Sequence, residues 1–366
     1  MKNYERKDRI YICHTYYHVY IATVKELVKR KADHDRADIV LSTMSNNFEN
    51  LQQRLEASGV FDHVFMYEEK EDITSDEVMR YHKDKGNIIA NLIQRITYTR
   101  LLGKLQEPFI PTDLASYKDI YVFCDSDPIG YYLNYKKIKY HAVEDGLNTG
   151  KLDDQARFTN RGAWPVKLLM SKLGLIFIEN GYSRYCIDYE VNDISVNYKP
   201  PKNAIEVSRR QLNDQLSKED HRLLVDIFLE NKDSVVSRLL GTNEPAPNKK
   251  PNVMILTEPL CELDVRQKIF GDIIEQYKDT NRVVLKPHPR DLLDYEAAFP
   301  DIVVIRERFP MEVLGDIEGF EVDKLISVIT QVDNIFFAKE IEYLGFDFLD
   351  KYEDPEVHRK IENLDN

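Results

Sequence analysis

Short runs of consecutive apolar residues alternate along this chain with longer stretches in which apolar residues recur every three or four positions. The first kind predicts strands buried on both faces, the second amphipathic helices packed against them. Ile10-Tyr11-Ile12-Cys13 is such a run, and Ile21, Val24, Leu27 and Val28 then recur at helical spacing through Arg30. Ala37 to Leu41 predicts a second strand, followed by a helix over Phe48 to Ala57 with Ser45, Asn46 or Asn47 as its cap and Ser58-Gly59 as its end. Val60-Phe61 with His63 to Met66 gives a third strand, the charged run Glu68 to Asp76 a solvated loop, and Ile88 to Leu105 a long amphipathic helix. Ile120 to Cys124 and Ile138 to Val143 predict two more strands, and the region from Trp164 to Cys186 carries a helix on Leu168, Leu169 and Leu173 and an apolar run, Leu175 to Ile178.

Lys199-Pro200-Pro201-Lys202 is stiff and polar and marks a boundary, so the alternation divides into residues 1–203 and 204–366. Beyond it come a short strand, Ala204 to Val207, a helix on Leu223, Leu224, Ile227 and Phe228, and the loop Gly241 to Pro251. The strand Val253 to Leu256, a helix over Val265 to Tyr277 and the run Arg282 to Leu285 follow. Leu292 to Phe299 has helical spacing, Ile302 to Ile305 reads as a strand, and Pro310 opens a short helix. Lys324 to Thr330 is the last clear strand, with a helix over Val332 to Glu340 after it. Strands alternating with helices predict parallel sheets, hence an α/β chain of two Rossmann-like domains.

Composition narrows the function. The 366 residues are 43% hydrophobic and 31% charged, which is globular composition. A net charge of -13 lacks the basic footprint of a nucleic-acid binder. Cys13, Cys124, Cys186 and Cys261 stand far apart and read as reduced thiols. The first thirty residues hold no export-type apolar region, and no apolar stretch is long enough to span a bilayer, so a cytoplasmic location is expected. The 22 tyrosines suit carbohydrate contact or a wet interface.

Four stretches carry candidate chemistry. In Lys286-Pro287-His288-Pro289-Arg290-Asp291 two prolines clamp a histidine at the carboxyl end of a strand, where it can stabilise or protonate a departing phosphate; the alternative is a strand stop with a helix cap. In Glu144-Asp145-Gly146 the glycine permits a sharp turn that projects Asp145 as a general base for a hydroxyl, although Asp-Gly is also a common turn. Asp125-Ser126-Asp127 has the spacing to hold a metal on a diphosphate, but Pro128 and Gly130 favour a turn with a helix cap. His14-Thr15-Tyr16-Tyr17-His18 sits where a Rossmann-like sheet meets ligands, and helix capping or core packing is the favoured account of its histidines, with substrate contact the alternative. Asp145 and His288 belong to separate sheets, and two such sheets facing each other make a cleft for glycosyl transfer.

Glu144-Asp145-Gly146, Lys286-Pro287-His288-Pro289, Pro310-Met311-Glu312-Val313 and Ser327-Val328-Ile329-Thr330 occur in the order seen in bacterial sialyltransferases. The chain resembles most the group, of the glycosyltransferase family 52 kind, that modifies lipooligosaccharide and streptococcal capsule. Cys13 to His18 also resembles the capsular members. The resemblance implies the GT-B fold, two Rossmann-like domains whose parallel sheets face each other across a deep cleft, with the acceptor side and the base in 1–203, the donor site in 204–366 and the last helix packing back on the first domain. It implies an inverting transfer of sialic acid from CMP-sialic acid, without metal or other cofactor, to a terminal galactose of an oligosaccharide or lipid-linked glycan. Asp145 would be the base, His288 the acid or donor for the CMP phosphate, and Glu312 the ligand of the ribose hydroxyls. Ser327 with Thr330 would bind the phosphate; the family's hydroxyl pair is adjacent, whereas these two are three apart, so the choice between them stays open. Lys286 is added on charge grounds, Pro287, Pro289 and Thr257 complete the donor set, and Thr15, Tyr16, His18, Glu144 and Gly146 are candidate substrate contacts. The resemblance is compatible with peripheral association at the inner face of the cell membrane and with a homodimer. The alternatives are a Kdo or glycerophosphate transferase, which also releases CMP, and a non-catalytic glycan-binding protein.

Overall fold

The first apolar run becomes β1 (Lys7–Cys13), whose last five residues are all buried. The computed structural model describes residues 7–31, 36–44, 47–69, 78, 80–83, 85–147, 150, 155–242, 250–289, 291–330, 332 and 335–354. Around β1 lie β2 (Ala37–Ser42), β3 (Phe61–Tyr67), β4 (Tyr117–Phe123), β5 (Tyr140–Val143), β6 (Cys186–Val191) and β7 (Ala204–Glu206). They form one parallel sheet of order β3-β2-β1-β4-β5-β6-β7. The chain runs outward from β1 to β3 and then returns to place β4 on the other side of β1. That reversal opens a crevice at the carboxyl ends of β1 and β4, where an open α/β sheet binds its ligands.

The helix Tyr16–Lys29 covers one face with its apolar residues and with Lys25 and Glu26, also buried. These two charges are tolerated because each is paired: Glu26 takes Arg9 at 2.7 Å, and Lys25 takes Glu190. The helix Pro128–Lys136 packs so tightly that a Cβ on Gly130 would lie 1.9 Å from the Asp125 carbonyl oxygen. Glycine is required there by space.

The second unit repeats the plan with β8 (Asn252–Leu256), β9 (Arg282–Lys286), β10 (Val303–Val304), β11 (Val322–Ser327) and β12 (Ala338–Tyr343). All are parallel, in the order β10-β9-β8-β11-β12, so the crevice falls between β8 and β11. Its core gathers Val253, Ile255, Ile269, Phe270, Ile273, Leu285 and Ile326.

Several expectations need correction. The boundary lies between Leu216 and Ser217, beyond the expected 203/204. Ala204–Glu206 pairs with β6, and the helix Arg209–Asn213 packs on Tyr16–Lys29, so the proline-rich stretch is a connector inside the first sheet. No helix spans 332–340 among the described residues; Ala338–Tyr343 is an edge strand, with Lys324 of β11 set between Glu340 and Glu342. The helix expected over Leu292 to Phe299 shrinks to the single turn Tyr295–Ala298, and the strand expected over 302–305 to Val303–Val304. The helix after β2 begins at Leu51 and Asn50 makes no side-chain cap. Ser45, Asn46, Arg290, most of the run 68–76 and of the loop 241–251, and parts of 331–334 lie outside the described residues. The last described helix, Phe346–Leu349, packs through Leu349 into the second core, and residues 355–366 lie outside the description. No helix among the described residues is long and apolar enough to cross a membrane.

Candidate active site

In the first unit the carboxyl ends of β1, β4 and β5 bring together His14, His18, Asp127 and Asp145. Glu144, the first residue after β5, is fully buried. Its carboxylate accepts the Asn192 backbone N–H at 2.8 Å and lies 3.7 Å from Arg209, so it braces the sheet rather than meeting substrate. Asp145 is the next residue and leaves 53% of its side chain exposed.

What holds the Asp145 turn is His18, which is completely buried. Its Nε2 lies 3.0 Å from Asp145 Oδ1 and 2.6 Å from the Asp145 carbonyl oxygen. Its Nδ1 accepts the His14 backbone N–H at 3.1 Å. A ring nitrogen that accepts carries no proton, so the proton sits on Nε2 and the imidazole is neutral. Burial, with the charge of His14, accordingly lowers the His18 pKa although Asp145 pulls it up. Burial pushes the Asp145 carboxyl up, but His18 and His14 outweigh it and hold the group below its ordinary value. Asp145 is therefore ionised and half open to solvent.

His14 has the opposite state. Burial alone would lower its pKa, but Glu69, Asp127 and Asp145 raise it to about 9, so it is a buried cation. Glu69 is 2.9 Å from His14 Nε2 and also accepts Ser42 Oγ and the Ile129 backbone N–H, the latter at 2.7 Å. Asp127 lies 3.4 Å from His14, and burial, opposed by His14 but helped by Glu69 and Asp145, moves it to about 6. Asp125 faces elsewhere, accepting Tyr140 Oη at 2.7 Å and the Asn180 N–H at 2.8 Å. The two aspartates thus serve different partners. Between β4 and Asp125, Cys124 is held at φ 58°, a strained non-glycine conformation at the crevice.

Thr15 and Tyr16, expected as substrate contacts, have structural partners. Thr15 caps the first helix, its hydroxyl accepting the His18 N–H at 3.2 Å, and Tyr16 is buried against Phe48. Neither is placed as a substrate contact.

In the second unit Lys286, the last residue of β9, is buried and donates to the Glu307 carbonyl at 2.9 Å over the Phe309 ring. Burial, partly offset by Glu307, lowers its pKa to about 8. Lys286, Pro287, His288 and Pro289 line an open pocket of about 250 Å³ together with Arg306 and Arg308. The histidine turn is braced from behind: the His288 N–H donates to Thr257 Oγ1 at 3.1 Å, and Thr257 donates to Asp291 at 2.8 Å. Asp291 also takes Arg266 and Tyr295 Oη, each at 2.7 Å. Thr257 is therefore a support for His288. Glu312 lies in the turn Met311–Asp316, where burial and Asp316 raise its pKa to about 7 against its own backbone hydrogen bond.

The anion site expected at the end of β11 is already filled. Glu258, buried after β8, accepts Ser327 Oγ at 3.1 Å, the Ile329 N–H at 3.0 Å and the Thr330 N–H. Ser327 is buried and committed to Glu258 and to the Thr330 carbonyl, and no helix N-terminus follows among the described residues. Thr330 remains partly exposed. Glu69, Glu258, Arg266 and Tyr295 were not singled out from the sequence. Glu69 was hidden in a charged run, whereas Glu258, directly after a buried strand at the reversal point, had a positional signal.

Comparison with known proteins places this geometry. The chain matches glycosyltransferase family 52 over residues 39–330. An uncharacterised protein of Haemophilus influenzae is 32% identical over 97 residues, 25% of this chain; the match covers 31% of that relative's length. Among solved structures, the 2,6-sialyltransferase of Photobacterium sp. JT-ISH-224, in complex with CMP and lactose, has a TM-score of 0.54 at 10% identity, covering 97% of this chain and 76% of that one. The GT-B domain of a Photobacterium damselae sialyltransferase gives 0.49 at 12% identity, covering 88% and 86%. The two parallel-sheet units are those of the GT-B class. With the family match spanning well over half of the sequence, the chain belongs to glycosyltransferase family 52.

Proposed function

We propose that the chain is an inverting sialyltransferase that moves sialic acid from CMP-sialic acid to a hydroxyl of a terminal galactose. The observation that carries this reading is Asp145: a half-exposed, ionised carboxylate fixed at the ligand end of a sheet in a family 52 chain. CMP and lactose, bound by the Photobacterium enzyme, supply the ligand classes.

The roles divide between the units. Asp145 takes the proton of the acceptor hydroxyl as that oxygen bonds to the anomeric carbon. The bond from this carbon to the phosphate oxygen breaks at the same time, CMP leaves with the electron pair, and direct attack inverts the centre. The anomeric carbon of sialic acid is tertiary and bears a carboxylate, so negative charge gathers early on CMP. His288 donates to that charge, and fixed donors so aimed are worth a few kcal/mol each. The pocket lined by Lys286 and His288 takes the nucleotide, and Glu312 accepts from the ribose hydroxyls. Of the two hydroxyls, Thr330 is the better phosphate ligand, because Ser327 is committed to Glu258. None of these steps requires a metal.

The test is incubation with CMP-sialic acid and lactose, followed by free CMP and sialylated product. Release of CMP from CMP-Kdo or of CMP from CDP-glycerol, with none from CMP-sialic acid, would overturn the donor assignment.

A further inference from the structure

We propose that His18 positions the Asp145 carboxylate, gripping that residue at carbonyl and side chain with one ring nitrogen while the His14 backbone locks the other. This rests on Asp145 as the acceptor base. His18 is completely buried, which removes it from substrate contact. Its ring stacks on Phe123, the last residue of β4, at 4.9 Å and 18°. One nitrogen is tied to the end of β1 and the other to the turn after β5. A single imidazole therefore fixes three strand ends relative to one another.

The His14 N–H points at Nδ1, so protonating His18 would set two donors face to face. The ring stays a neutral donor, and its one N–H is shared between Asp145 Oδ1 and the Asp145 carbonyl. A rotation that withdrew the carboxylate from the crevice would break both contacts. The grip favours the ionised carboxylate, the form a base needs, and His18 keeps its proton throughout the reaction. Other groups also face Asp145: His14 from the end of β1, Cys124 and Asp127 from the end of β4, and Tyr189 from β6. Asp127 titrates near 6, so it must be separated from Asp145 in any pH profile.

Two amides divide the roles of the ring. In H18Q the amide N–H can reach Asp145 as Nε2 does, but the acceptor for His14 is lost. In H18N the amide oxygen can still accept the His14 N–H, but the donor to Asp145 is lost. We would follow the Asp145 carboxyl carbon by NMR titration in the whole chain, with D127N to assign the overlapping Asp127 titration, and measure transfer kcat/KM against pH with CMP-sialic acid and lactose. H18N is expected to raise the Asp145 titration, move the acid limb to higher pH and lower the rate about 10-fold to 100-fold, the usual cost of an orienting partner. H18Q should keep the Asp145 titration near its original place and lose less rate. If H18N titrates like the unaltered chain, or H18Q alone is damaged, His18 serves only the local turn and the proposal is wrong. D145N in the same assay separates the two layers: retained transfer would overturn the base assignment and this inference with it, while lost transfer beside a normal H18N would overturn this inference alone.

Discussion

Each unit places a carboxylate at the carboxyl edge of its sheet, Asp145 after β5 and Glu258 after β8, and the two are treated in opposite ways. Asp145 in the first is held by one neutral imidazole and keeps 53% of its side chain exposed. Glu258 in the second is buried and accepts a hydroxyl and two backbone N–H groups. A carboxylate whose lone pairs are filled from within the fold is part of the scaffold; one with a face left open can take a proton from a ligand. The same edge of a parallel sheet thus offers an open carboxylate in one half and a brace in the other.

The largest effect should come from breaking the open carboxylate. D145N is expected to lower transfer about 100-fold to 10,000-fold, the range for losing a general base, with little change in melting temperature. H288A should fall in the same range and act on CMP departure, which CMP release without acceptor would report.

The saturated carboxylate should behave in reverse. E258A removes the acceptor of two backbone N–H groups and leaves Ser327 Oγ only the Thr330 carbonyl, which costs about 3 kcal/mol and lowers the melting temperature by roughly 10 °C. A variant that melts normally would show that Glu258 is not the brace.

His14 sharpens the comparison through pH. Its folded pKa of about 9 lies above the ordinary value of 6.5, so the stability it contributes is full below about pH 6.5 and is lost as pH rises through 9. Stability should fall over that window by a few kcal/mol at most, and H14Q should flatten the fall. Thermal melts at several pH values check this.

Smaller still is the effect of Glu312. With its carboxyl at about 7, donor KM should improve as pH rises through 7, and E312Q should remove that dependence while raising KM several-fold. Chelation should change nothing: turnover in EDTA is expected to equal turnover without it, and restoration by magnesium or manganese after a loss would contradict this.

The strands most legible in the sequence are those that hold several apolar residues in a row. β1, β2, β4, β8 and β9 each contain an unbroken apolar run of three or more residues and were legible by it. β6 and β12 were not, because charges interrupt them and the neutralising partners lie elsewhere in the chain. Asp188 and Glu190 of β6 meet His141 and Lys25, and Glu340 and Glu342 of β12 meet Lys324. The site divides along the same line. Asp145 and His288 stand in short motifs at strand ends, which local pattern can find. Glu69 and Glu258 work through residues 55 and 69 positions away from His14 and Ser327, respectively, which local pattern cannot find.

The central claim is that Asp145 is the base for the acceptor hydroxyl, and single-turnover transfer from CMP-sialic acid to lactose tests it most directly. D145N is expected to bind CMP with unaltered affinity but to form sialylated lactose at least about 100 times more slowly. Near-normal transfer by D145N would rule that role out and move the base to Asp127, a carboxylate 3.4 Å from His14.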